Sequence, residues 1–400
     1  MPELPHPIRV ETTALCERVR AQLGVEVAAL CRRYPRHAAG IWQLVEALTG
    51  LRRTGEVRPT ATGTARELRG GTWVGRYRII QPLGKGGMGV VYLAEQCEPV
   101  RRQVALKVIR AGTGTDQVLA RFALERRALA VMSHPNIARV FEAGETSDGT
   151  PYFVMEYVPG VPIDEYCDRA RLSLADRLIL LQQVCAGVQH AHQKGVIHRD
   201  LTAKNVLVCE EEGRPVPKII DFGLARATDL ELVQQSMCTE AGIVVGTPEY
   251  MSPEQIAPEA DIDARTDVYS LGVLGYLLLT GALPFAVPDR RRGWFVELQR
   301  RILEDEPPRP SLCVELMGKE AAREVARLRR TTVHHLVTQL RKELDWIALK
   351  CLEKDRNCRY QTPGELAAEI GRYLADEPLE AGPPSAGYRL RKTLRRHRKH

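Results

Sequence analysis

No two cysteines in this chain stand at C-x-x-C spacing; the ten are scattered at 16, 31, 97, 167, 185, 209, 238, 313, 351 and 358. That excludes the common zinc modules, and a disulfide framework is not expected in so long a chain, so reduced thiols in the cytoplasm are the plain reading. Missing too is any apolar run near the ~20 residues that a bilayer requires; the longest candidate, Leu271–Leu279, is far shorter. The opening MPELPHPIRVETTAL lacks a basic start followed by an apolar core, so no signal peptide is expected. The body also lacks an excess of either charge. Lys and Arg number 57 against 50 acids, but Arg389–His400 alone holds seven basic residues and no acid, which leaves 50 against 50 elsewhere. A nucleic-acid-binding body is not what this pattern suggests. With 44% hydrophobic residues, the composition is that of a soluble globular protein.

Apolar periodicity divides the chain. Leu15, Val19, Leu23, Val27 and Leu30, then Ile41, Leu44, Val45 and Leu48, recur at helical spacing on either side of Pro35. Residues 1–50 are therefore expected to form a small helical region. Residues 51–76, rich in Gly, Thr and Arg, read as a linker. From Tyr77 the period becomes two. Tyr77–Ile80, Val90–Leu93 and Val104–Ile109 are β-branched or aromatic runs separated by turn signals, and Tyr152–Glu156 is a further strand. Helices are expected over 116–132, 173–194, 266–280, 294–304, 320–344 and 363–374. A small antiparallel strand-rich part (77–157) followed by a larger helical part (161–375) is an α+β, two-lobed arrangement, with a basic tail over 376–400.

The first motif is Gly84-Lys85-Gly86-Gly87-Met88-Gly89, a G-x-G-x-x-G cluster. Dinucleotide-binding folds place such glycines between a strand and a helix, whereas here VVYLAEQ follows and reads as strand. The glycines then sit in a hairpin, where absent Cβ atoms let backbone amides approach phosphate oxygens. Lys85 precedes Gly rather than Ser or Thr, which excludes a Walker loop. A glycine-rich turn with no ligand is the competing reading, and what decides it is the series that follows. Lys107 stands in the apolar strand Val104–Ile109, where a phosphate or carboxylate would justify burying it; Glu125 could supply that carboxylate. Then come His198-Arg199-Asp200-Leu201-Thr202-Ala203-Lys204-Asn205, Asp221-Phe222-Gly223 and Ser252-Pro253-Glu254.

This ordered set resembles the eukaryotic-type protein kinases over roughly Tyr77 to Leu374. The segments HPNIARVFEAG, GTPEYMSPEQ and LDWIALKCLEKDRNCRYQT are similar to bacterial serine/threonine kinases, those of planctomycetes in particular. The resemblance implies a two-lobed protein-kinase-like fold, ATP and Mg2+ as nucleotide and metal, and protein Ser/Thr hydroxyls as acceptors. It implies that the loop of Gly84, Lys85, Gly86, Gly87, Met88 and Gly89 covers the phosphates, and that Val91 and Ala105 pack on the adenine. Lys107 would bind the α- and β-phosphates and pair with Glu125. Met155 would be the gatekeeper, and Glu156 to Val158 the hinge. Asp200 would be the catalytic base, while Asn205 and Asp221 would hold magnesium. Asp267 is expected to brace the catalytic loop, and Glu254 to pair with Arg359.

One departure bears on activity. The Lys usual two residues after the catalytic Asp is Thr202 here, and a Lys appears instead at 204, a form nearer to the tyrosine-kinase pattern. Lys204 is expected to supply the missing charge from another direction. Gly246–Tyr250 resembles the Ser/Thr substrate loop, so Ser/Thr specificity is the favoured reading. A nucleotide-binding scaffold of little or no activity, and a Tyr or dual-specificity kinase, are the alternatives. Arg199 awaits an anion, and phosphate on Thr228, Ser236 or Thr239 of the activation segment would provide it. The tail 389–400 reads as a solvated end, or as a segment lying on the anionic inner face of the membrane.

Overall fold

The computed structural model describes residues 68–86, 89–109, 132–146, 149–222, 247–257, 262–287 and 293–382. The chain divides into two units at Arg66 and Glu67, and every described residue belongs to the second. The expected helices over 1–50 and, but for Met132, over 116–132, and the tail 389–400 lie outside the described residues.

Strands β1 (Trp73–Val74), β2 (Tyr77–Gly86), β3 (Gly89–Gln96), β4 (Arg102–Ile109), β5 (Val140–Glu145) and β6 (Pro151–Glu156) form one sheet in the order β1-β2-β3-β4-β6-β5. Its described pairings are antiparallel. Alternation sorts its side chains onto two faces. Tyr77, Ile79, Tyr92, Ala94, Val104, Leu106 and Val154 pack together on one. Ala105, Phe153 and Met155 gather on the other, with Val91 and Ile109 against them. Lys107 lies opposite Val91 on β3 and Phe153 on β6. The sheet begins four residues before Tyr77, inside the expected linker: Val74 is buried, and Gly71 N donates to Ile79 O (2.8 Å).

Strand β7 (Val161–Pro162) joins β8 (Val206–Glu211) and β9 (Arg214–Ile219) in a small second sheet, which the apolar pattern did not announce. Pro215 and Pro217 dilute the strand signal, yet β9 is at the sheet's edge, where proline is tolerated. Glu212 and Gly213, both at positive φ, close the hairpin. Strand β5 was hidden for a different reason: none of its residues is fully buried, and Phe141 and Glu145 are exposed.

The helical lobe contains α1 (Ile163–Arg169), α2 (Leu174–Gln193), α3 (Arg265–Thr280), α4 (Trp294–Glu304), α5 (Pro310–Leu316), α6 (Lys319–Leu328), α7 (Val333–Gln339), α8 (Asp345–Cys351) and α9 (Pro363–Leu374). Ser173 caps α2, whose Leu178, Leu181, Val184, Cys185 and Val188 are buried at helical spacing. Helix α3 is buried on every side, and so forms the lobe's axis. The single helix expected over 320–344 is broken instead. Arg330 takes positive φ, Thr331 N turns back to Ala326 O (3.0 Å), and the Thr332 hydroxyl caps α7. The break lets Arg329 turn inward, where it donates to the carbonyls of Leu279 (2.6 Å) and Leu278 (2.9 Å) at the C-terminus of α3. Among the described residues no helix is long and apolar enough to cross a membrane.

Candidate active site

The catalytic loop is fixed from beneath by α3. Asp267, wholly buried in that helix's first turn, accepts from Arg199 N through Oδ1 (2.8 Å) and from His198 N through Oδ2 (2.8 Å). His192 Nε2, at the end of α2, meets the same Oδ2 at 2.7 Å. Burial pushes this carboxyl's pKa up, but the His192 contact and the donated amide outweigh it and hold the group below its usual range. Arg199 takes a left-handed φ of 64°, a conformation that persists only when neighbours over-determine it. Gln255 Nε2 helps by donating to Arg199 O (2.8 Å). The loop's shape is thus built in rather than induced.

Asp200 follows at once. Its amide donates to His198 Nδ1 (3.3 Å), and its carbonyl accepts from Asn205 Nδ2 (2.7 Å), which also comes within 3.4 Å of the Asp200 carboxylate. Asn205 O in turn accepts from Ile220 N (2.8 Å). The loop and the residue before Asp221 are therefore hydrogen-bonded neighbours. Asp221 has a left-handed φ of 59°, which sets the chain's direction as it leaves β9.

Lys107 comes to this place from the other lobe. It is 8% exposed, and its Nζ donates to both Asp221 oxygens, 2.6 Å from Oδ2 and also within reach of Oδ1. Lys107, Asp200, Asn205 and Asp221, spread over more than a hundred residues, are so drawn into one junction. The apolar side of the junction is the sheet face of Val91, Ala105 and Met155. Beyond it, Glu156 closes β6 with its carboxylate held by Arg139 N (3.1 Å) and Lys218 Nζ (3.0 Å). Lys218 also pairs with Glu211 (3.1 Å); burial opposes its charge, but the two carboxylates win and raise its pKa. Val158 is buried with Ala138 and Cys209, and its carbonyl accepts from Gly160 N (2.9 Å).

The glycines are not equivalent. A Cβ on Gly89 would strike Val108 O at 2.0 Å, so the sheet itself demands glycine there, whereas Cβ atoms on Gly84 or Gly86 would meet nothing within 4 Å among the described residues. Lys85, between them, is exposed. Lys204 is also exposed, on the one-turn helix Ala203–Asn205, whereas Thr202 is buried; among the described residues Lys204 forms no ion pair. Gly87, Met88, Glu125, Thr228, Ser236 and Thr239 lie outside the described residues.

Sequence alone did not single out His192, Gln255 or Asn136. Asn136 Nδ2 donates to Pro217 O (2.9 Å), and its carbonyl accepts from Ile219 N (2.9 Å), stitching the HPNI segment to β9 just ahead of Asp221. The available signal was a polar residue between apolar ones in a segment too short to be a strand.

The chain belongs to the protein kinase family: the model described as "Protein kinase domain" matches residues 77–369. Among curated proteins it is 38% identical over 244 residues to the serine/threonine-protein kinase Pkn1 of Myxococcus xanthus, across 60% of this chain and 34% of that protein. It is 33% identical over 311 residues to the serine/threonine-protein kinase PknB of Mycobacterium tuberculosis, across 76% of this chain and 44% of that protein. The chain thus spans less than half the length of these relatives. Among solved structures, the kinase domain of Mycobacterium tuberculosis PknI matches with a TM-score of 0.54 at 25% identity, over 76% of this chain and 99% of that one.

Proposed function

We propose that this chain transfers the γ-phosphoryl group of ATP to serine and threonine hydroxyls of protein substrates. The observation that carries the reading is the convergence of Lys107 and Asp221 beside the linked pair Asp200 and Asn205. Phosphoryl transfer needs alignment and neutralised charge more than covalent help. Lys107 brings a nearly buried ammonium to the α- and β-phosphates. Gly84, Lys85 and Gly86 lie over them. The Val91, Ala105 and Met155 face receives the adenine ring, with the backbone of Glu156 to Val158 along its edge.

Asp200 accepts the proton of the attacking hydroxyl. A carboxylate is a weak base, so placement dominates its contribution; the bonds to its amide and carbonyl support that placement. The residues suit magnesium. Asn205 uses its Nδ2 on the Asp200 carbonyl, which leaves its amide oxygen as the donor for a cation, and with the Asp221 carboxylate it makes a hard oxygen pair. When bound, Mg2+ neutralises charge on the phosphate oxygens.

The test is incubation of the chain with radiolabelled Mg·ATP and a protein substrate, followed by phosphoamino-acid analysis, beside Asp200→Asn. Phosphoserine and phosphothreonine on the substrate, and on Thr228, Ser236 or Thr239, are expected from the parent chain alone. Phosphotyrosine only would overturn the Ser/Thr choice. Nucleotide binding without any transfer would favour a scaffold. Seven free cysteines among the described residues fit a cytoplasmic setting. The basic residues of 389–400 fit attraction to anionic lipid, which vesicle co-sedimentation would measure.

A further inference from the structure

We propose that His134 and His190 form a proton-sensitive joint between the HPNI turn and α2, closed while both imidazoles are neutral and loosened when His134 takes up a proton. The device stands apart from the functional reading above, and its test needs no nucleotide.

Three observations place it. First, His134 Nδ1 accepts from Asn136 N (3.2 Å). A neutral imidazole can accept there only with its proton on Nε2, and a second proton turns the acceptor into a donor aimed at an N–H. The bond that folds the turn is then lost. Second, the half-buried His134 ring lies against the half-buried ring of His190 on α2, with centroids 5.3 Å apart and planes inclined at 33°. Neutral rings attract at that separation, whereas two imidazoliums repel. His190 Nε2 is buried and has no hydrogen-bond partner among the described residues, so a charge on it would go unanswered. Third, the turn carries a strand. Asn136 O accepts from Ile219 N (2.9 Å), Ala138 N donates to Ile219 O (2.9 Å), and Asn136 Nδ2 donates to Pro217 O (2.9 Å). On the other side, a Cβ on Gly187 of α2 would meet Ile219 Cδ1 at 2.9 Å and Asn136 O at 3.2 Å. Turn, helix and strand therefore meet without slack, two residues ahead of Asp221.

The charges on the surrounding elements are engaged elsewhere. Lys218 of β9 pairs with Glu156 and Glu211. His192 of α2 contacts Asp267 of α3. On α9, which is bonded to α2 through Gly364 N and Gln189, Glu365 accepts from Gln361 N and Glu369 from Arg372. Among the described residues the titratable group that faces His134 is His190; burial first, and then that neighbour, hold His134 below the ordinary histidine range. The joint is thus whole above the unfolded value near ~6.5 and weakens as pH falls below it, through the lowered folded value.

Hydrogen exchange of the full chain, corrected for the intrinsic effect of pH on amide rates, tests this. From about pH 7.5 to about 5.5, across the histidine range, protection at Asn136, Ala138 and Ile219 should fall about five-fold, the size of one lost hydrogen bond. His134→Asn, whose Oδ1 keeps an acceptor in place of Nδ1 and cannot titrate, should remove the fall. His190→Gln, which takes away the like charge, should shrink it. His334→Gln, at an exposed histidine, should leave it as in the parent. Near-ultraviolet circular dichroism checks that each variant is folded, and nuclear magnetic resonance of the parent's His134 Cε1–H should give a midpoint below ~6.5. An equal fall in the parent and His134→Asn overturns the proposal, as does no fall in the parent. A His134 midpoint at or above ~6.5, which a carboxylate neighbour would produce, overturns it even if His134→Asn does not fold.

Discussion

Two ion pairs, one at the lobe junction and one at the base of the helical lobe, show opposite uses of the same chemistry. Arg359 and Glu254 meet through two parallel bonds of 2.7 and 2.8 Å, with side chains 0% and 7% exposed. The guanidinium spends its remaining donors on the carbonyls of Glu353 (2.7 Å), Lys354 (3.1 Å) and Arg265 (3.2 Å), and it lies over the Tyr269 ring. A planar fork with that many fixed acceptors has nowhere else to go. At the junction the cation is a lysine, a compact charge on a flexible stem, facing a carboxylate that is partly open to water. One pair is closed in by its surroundings, whereas in the other the carboxylate is partly open. Residue type follows from that, not from charge alone.

The sharpest way to break the comparison is through activity. Asp200→Asn should lower kcat by about 10²–10⁴, the range for a general base, while leaving the melting temperature unchanged; retained transfer would mean that the junction is not the reacting site. At the base, Arg359→Met should destabilise by about 3–5 kcal/mol, because Glu254 is then a buried charge without a partner. Chemical denaturation measures this, and the paired change Glu254→Leu with Arg359→Met should recover much of the loss. A small effect from Arg359→Met alone would erase the distinction between the two regions.

Asp267 refines the contrast through pH. Its carboxyl is held below the usual range in the folded chain. Its contribution is therefore full above the unfolded value near ~4 and is lost as pH falls below that, through the lowered folded value. Asp267→Asn should cost about 2 kcal/mol at neutral pH by weakening bonds to a charged acceptor, and should flatten the acid limb of stability against pH. An unchanged acid limb would assign the brace to hydrogen bonding without charge. The smallest effect is expected at Thr362, whose side chain caps α9 by accepting from Glu365 N (3.1 Å). Thr362→Ala should cost about 1 kcal/mol and leave ATP binding alone, as read by thermal melts with and without nucleotide.

Legibility in the sequence varied with the strength of the local pattern. The strands around Lys107 and helices α2, α3, α4 and α9 were readable because their apolar spacing is regular and their ends carry caps or breakers. The β8–β9 hairpin was not, since its prolines mimic a loop and its pairing is decided by a neighbouring strand. The helical run over 320–344 looked continuous because its apolar spacing survives the break; only the inward turn of Arg329 shows why the chain bends. Lys107, Asp200, Asn205 and Asp221 were legible as a spaced motif, and their convergence required the fold. The support they stand on, from His192, Gln255 and Asn136, was silent, because a single polar residue carries no period.

Arg329 gives the helical lobe an unexpected dependency. The carbonyls that it satisfies end the helix whose opposite end grips the catalytic loop through Asp267, so a segment far along the chain underwrites the stiffness of that rod. Trimming 310–344 to shorten the protein would remove the Arg329 donors from Leu279 and Leu278, leaving Leu278 O only Arg177 Nη1 (3.3 Å) of these two arginines, and the harm would surface at the loop that holds Asp200.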